Sequence, residues 1–222
     1  MRTAKLAPLM RPLLERHADL EMRGRWIVVK PVRHVFRGII LDRTSGAATT
    51  AVSSVVRHLF EYQTSIPLIW KQEFPWLDLS RSDQLENLFD GIERIFLPQI
   101  RSVQTVGDLV AYVDRHWARH RLFDTPETKV IVDAALGRLG EARAVAEANV
   151  ERWSSNNPRW DDEDRRQMSG LVKLSDCLVR GDTEGIACLL HEWEAATVKH
   201  NKLEGLWEPT PFPLEKPATR QG

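Results

Sequence analysis

Two histidines four residues apart stand in the run His116-Trp117-Ala118-Arg119-His120. On a helix that spacing puts both rings on one face, a geometry able to hold a metal ion. The glutamate of the zinc-protease helix is missing, and Arg115, Arg119 and Arg121 surround the pair with positive charge that repels a cation. No metal is expected there. Arg115, His116, Arg119 and His120 form a better anion-binding candidate. A solvated helix end, where cations suit the negative pole of the helix, fits them better still.

Other constellations are weaker. Asp161-Asp162-Glu163-Asp164 lacks the alternating oxygens and glycine of a calcium loop and fits the start of a helix, whose positive pole favours acids. Cys177 and Cys188 are not a CxxC pair and fit core positions. His191 and Glu192 are adjacent, so on a helix they point apart and cannot work as an acid–base couple. Gly137 and Gly140 fall between helical segments rather than after a strand, so no phosphate loop is present. No catalytic residue and no cofactor is expected. The remaining candidates are recognition residues. Arg37 interrupts an apolar strand pattern between Phe36 and Gly38 and would serve recognition if it faced an open side of a sheet; otherwise it is an ordinary outward polar position. Trp153 and Trp193, two of eight tryptophans, are candidate interface anchors, although most tryptophans fill cores and seams.

These side chains need a scaffold, and 222 residues suffice for one large domain or two small ones with a substantial core. Charges balance overall, but residues 1–80 hold 12 Lys or Arg against 7 Asp or Glu, and residues 81–222 hold 19 against 24. The basic excess forms no run, so it fits complementary halves better than a nucleic-acid face. No apolar stretch is long enough to span a membrane, the start of the chain does not fit a signal peptide, and two unpaired cysteines suit a reducing compartment. A cytoplasmic protein without a membrane partner is expected.

The elements follow from periodicity and breakers. Apolar spacing from Leu6 to Leu14 predicts a first helix over residues 3–18, kinked by Pro12. From Gly24 to Gln72, four runs rich in β-branched and aromatic residues predict an antiparallel meander: Trp26–Lys30, Val35–Leu41, Thr49–His58 and Ile66–Lys71. The third run also fits a helix, and its β-branched content favours a strand. Glu73 to Leu79 fits an irregular connector. Helices are then expected from Ser80 or Ser82 to Phe96, where Pro98 ends or bends the helix, and from Thr105 onward. The expected organisation is a helix plus sheet over residues 1–80, a helical half over 81–206, and a Pro-rich tail over 207–222. The fold class is α+β, an N-terminal helix and four-stranded antiparallel meander followed by an all-helical C-terminal half.

Within the helical half two hairpins are expected, 125–155 and 159–200, breaking at Gly140 and Gly181. They superpose at an offset of about 40 residues, with Ala144 matching Gly185 and Trp153 falling near Trp193. Ala135-Leu136-Gly137-Arg138-Leu139-Gly140-Glu141-Ala142 resembles tetratricopeptide-type hairpins but departs from them in period and in lacking their aromatic and proline marks. Val35-Phe36-Arg37-Gly38-Ile39-Ile40-Leu41-Asp42-Arg43 and the Thr/Val/Ser run after it resemble uncharacterised bacterial proteins, some of whose relatives are proposed toxin-immunity proteins. That likeness spans residues 20–75 and carries no functional residue over. The expected function is non-enzymatic binding of another protein by a bacterial interaction protein, in one form an immunity or defence-associated factor. The alternative is a nucleic-acid-associated protein using its basic N-terminal half.

Overall fold

The computed structural model describes residues 6–43, 49–61, 66, 71–117, 125–155 and 157–215. The fold is α+β: an N-terminal helix, an antiparallel sheet and a helical C-terminal half. The chain divides into two compact units. The first comprises residues 1–58, 67–113 and 202–208, and the second comprises 59–66, 114–201 and 209–222.

In the first unit, α1 (Leu6–Arg16) buries Leu6, Met10 and Leu13 and continues through Pro12. The sheet has five strands in sequential order: β1 (Leu20–Arg23), β2 (Trp26–Val29), β3 (Val35–Arg43), β4 (Thr50–His58) and β5 (Lys71–Leu77). Every neighbouring pair is antiparallel. The stretch that also fitted a helix is therefore strand β4. The meander gains β1, joined to β2 by a two-residue turn at Gly24-Arg25 with Gly24 at φ +61°. The expected connector from Glu73 is strand β5, and the run expected at Ile66–Lys71 falls largely on residues 67–70, outside the described residues. β5 accepts Pro75 because it is an edge strand and its pairing with β4 slips by a residue at that point.

The central strands are buried on both faces. Phe36, Ile40 and Val55 lie on one side; Ile39, Val52 and Val56 lie on the other. Past the sheet, α2 (Ser82–Gly91), a π-helical turn (Ile92–Phe96) and α3 (Leu97–Arg101) run on without a break. Pro98 was expected to end or bend this helix. Instead the chain widens to π geometry just before it, with Leu97 N–H bonding to the Ile92 carbonyl, which accommodates a residue that has no N–H to give. Next comes α4 (Val106–Trp117), whose Thr105 hydroxyl accepts from Asp108 N–H while Asp108 accepts from Thr105 N–H, a reciprocal cap.

The second unit carries α5 (Pro126–Ala135), α6 (Leu139–Ser154), α7 (Asp162–Arg180) and α8 (Thr183–His200). Three of these four starts are chemically marked. Thr125 caps α5 ahead of Pro126, Asp161 and Asp164 cap α7 reciprocally, and Asp182 caps α8. The hairpin breaks are at Gly137 (φ +77°) and Gly181 (φ +67°), whereas Gly140 lies inside α6. The equivalent turns are thus 44 residues apart, and the match of Trp153 with Trp193 dissolves. The helices also do not form an open stack. α5 packs on both α6 and α8, so the last helix returns to the first and the four close around a common core. The tail is pinned by Phe212, fully buried with its ring 5.1 Å from Phe60, and ends the described chain in a short 3-10 turn, Pro213–Glu215.

Candidate functional site: a basic cleft on the last helical hairpin

Helices α7 and α8 run antiparallel about the Gly181 turn, and between them lies a cleft of about 520 Å³. Its shape comes from side-chain size. Ser169 and Gly170 on α7 and Ala196 on α8 leave a gap, and Leu189 and Trp193 form its apolar floor. Trp193 is 4% exposed, so little of the indole is offered. On the α7 rim stand Arg165, Arg166 and Lys173, all exposed; Glu192 stands on the α8 rim. These α7 positions share one face because steps of three, four and seven residues return to the same side of a helix. Arg165 donates to Asp162 at 2.9 Å, whereas Arg166 and Lys173 make no ion pair among the described residues. The cleft therefore offers two unspent cations above an apolar floor. Its volume falls within the range of ordinary ligand sites, roughly 300–1,000 Å³.

The candidates drawn from sequence are scattered. Arg37 is 8% exposed, donates to the Pro31 carbonyl oxygen at 2.7 Å, and lies on the Ile39 face of β3. Burial lowers its pKa from the ordinary arginine value, Arg33 adds to that, and Asp19 opposes it. It faces no open side of the sheet. Trp153 is buried, its indole N–H donating to Glu127 Oε1 at 2.8 Å, and Arg152 pairs with the same carboxylate. That contact ties α6 to the first turn of α5. Arg115 and His116 are exposed in the last turn of α4, while Arg119 and His120 lie outside the described residues. Of the cleft residues, only Trp193 is among these candidates. The signal for the rest was present as Arg165, Arg166, Ser169, Gly170 and Lys173, basic and small residues on one helical face. His191 turns away from Glu192 and pairs with Glu215 Oε2 at 2.9 Å.

A second charged cluster lies in the first unit. His17 Nε2 and Arg16 Nε sit 2.8 Å and 2.9 Å from Glu93 Oε1, and Arg101 grips Asp19 with two bonds of 2.9 Å and 2.7 Å. Each charge is answered, so the cluster fastens α1 to the π turn and α3 rather than offering a site. Burial pushes the Glu93 carboxyl up, but the hydrogen bond with His17 and the charge of Arg16 outweigh it and hold the pKa below its ordinary value. A carboxyl depressed in the folded state adds stability above its unfolded pKa, near about 4.3, and that stability is lost as pH falls through the folded value. Urea midpoints followed from about pH 6 down to about pH 3 are thus expected to fall more steeply for the native chain than for Glu93→Gln. Parallel curves would refute the pairing.

Among the described residues, no group of three or more His, Cys, Asp or Glu side chains is placed to hold a metal, and no helix is long and apolar enough to cross a membrane. No protein-family model, curated protein or solved structure matches the chain.

Proposed function

We propose that this is a binding protein that engages an acidic segment of another protein through the α7–α8 cleft. The observation that carries the reading is the pairing of unspent Arg166 and Lys173 with an apolar floor at Leu189 and Trp193. Cations alone attract any anion, whereas cations above an apolar floor favour a ligand that has both carboxylates and an apolar anchor. A nucleic acid is favoured less. The second unit holds 15 Lys or Arg against 18 Asp or Glu, and a run of phosphates would meet that net negative field beyond the cleft. Both cysteines are free thiols, in keeping with a cytoplasmic setting. A bacterial immunity or defence-associated factor is one concrete form of such a protein.

The test is a fluorescence-anisotropy titration with a labelled acidic amphipathic peptide and, separately, a labelled DNA duplex. Each is run on the native chain and on a variant carrying both Arg166→Glu and Lys173→Glu. Peptide binding that the variant loses supports the reading. Tight, salt-dependent binding of duplex without binding of peptide overturns it.

A further inference from the structure

We infer that the segment accepted by the cleft is an α-helix bearing two acidic residues seven positions apart, with an apolar residue between them at the third or fourth position. The inference rests on the binding reading above and specifies its partner.

Its first support is spacing. Arg166 and Lys173 are seven residues apart on α7, two turns, so they share a ridge and are separated by about 10.5 Å along the axis. A partner helix lying along the cleft repeats the same rise, and its residues i and i+7 lie on one side of it, each opposite one cation. An extended strand rises about 3.3 Å per residue. It covers the separation in about three residues, and an odd step sends the two side chains to opposite faces. The cleft therefore presents its cations at helical spacing.

The second support is the floor. Ser169 and Gly170 stand midway between the two cations along α7, where bulky side chains are absent, and Leu189, Trp193 and Ala196 line the cleft from α8. A residue at i+3 or i+4 of the partner falls at that height and enters the gap. Two antiparallel helices also form the natural seat for a third, whose side chains fill the furrow between them. The third support is Glu192. It stands on the α8 rim opposite the cations and repels an acid on that side. Acids are thereby confined to the α7 side of the incoming helix, which fixes its rotation.

The experiment compares stapled 18-residue peptides of one composition by anisotropy. One carries Glu at i and i+7 with Leu at i+3; a second moves the later Glu to i+5, on another side of the helix. An oligoproline rod with Glu at i and i+3 serves as a non-helical control, since about 3.1 Å per residue and three residues per turn bring its acids to a similar spacing. The i, i+7 peptide is expected to bind about two- to fivefold more tightly than either competitor, with its binding weakened at least about 30-fold by Arg166→Glu plus Lys173→Glu. Equal affinity for all three, still lost in the variant, overturns the helical register while leaving the cleft as the binding site. Tighter binding of the oligoproline rod overturns the helix in the same way. If none binds, the inference and the reading beneath it both fall. Both substituted side chains are exposed, and an unchanged circular dichroism melt of the variant separates lost binding from lost fold.

Discussion

Replacing Trp153 by alanine is expected to destabilise the protein by about 3–5 kcal/mol, the usual cost of truncating a buried tryptophan. Its side chain is 2% exposed and is the largest of the fully buried side chains among the described residues. The substitution removes the indole from the α5–α6 contact and takes away the N–H that Glu127 accepts. Among the described residues Glu127 then keeps Arg152, an exposed partner that holds it weakly. For a chain of this size the melting temperature is expected to fall by about 6–20 °C. Trp153→Phe keeps most of the ring volume and loses the hydrogen bond, so it is expected to cost about 1–2 kcal/mol. A Trp153→Ala melt within about 2 °C of the native chain would show that the tryptophan is not the seam of this hairpin.

The second large effect is on binding. Reversing both Arg166 and Lys173 to glutamate is expected to weaken an acidic helical peptide by roughly 30- to 150-fold, about 2–3 kcal/mol. Each rim cation contributes about 0.2–1 kcal/mol as an exposed pair, and reversal adds a repulsion of similar size at each place. Because the pairs are solvent-exposed, the difference between native and variant protein is expected to shrink when ionic strength rises from about 0.05 M to about 0.5 M. The same double substitution is expected to leave the melting temperature unchanged, since neither side chain makes an ion pair among the described residues. A variant that binds as tightly as the native chain would remove the two cations from the account.

Much of the scaffold was legible because its signals are local. Pro126 after Thr125, the acids from Asp161 to Asp164 and the Gly181 break mark helix ends through backbone chemistry that neighbours in sequence supply. The β-branched run at Thr50–His58 was enough to separate strand from helix. What was missed depended on contacts distant in sequence. β1 is four residues, Leu-Glu-Met-Arg, and only its pairing with β2 makes it a strand. β5 contains Pro75, which argues against a central strand and becomes harmless on an edge. Gly137 and Gly140 are both glycines in a break, and no local signal says which one takes the left-handed conformation.

The candidate site was legible in its parts but not in its assembly. Arg37 broke an apolar pattern, and the pattern alone could not tell that both faces of its strand are covered. Trp153 and Trp193 looked equivalent, and both are buried, yet one donates to Glu127 and the other lines a cleft. Arg165, Arg166 and Lys173 resemble any solvated helix face until α8 is placed opposite them with Ala196 and Trp193. The acids at the start of α7 cap a helix, and the cations that follow them line the cleft.

Backbone hydrogen exchange, measured with and without the i, i+7 acidic helical peptide, tests the binding cleft most directly. Protection confined to Arg165–Lys173 on α7 and Leu189–Ala196 on α8, and absent after Arg166→Glu plus Lys173→Glu, is the predicted result. Protection centred on the end of α4 at Arg115 and His116, or spread over the sheet with the α7–α8 segments unchanged, would contradict it.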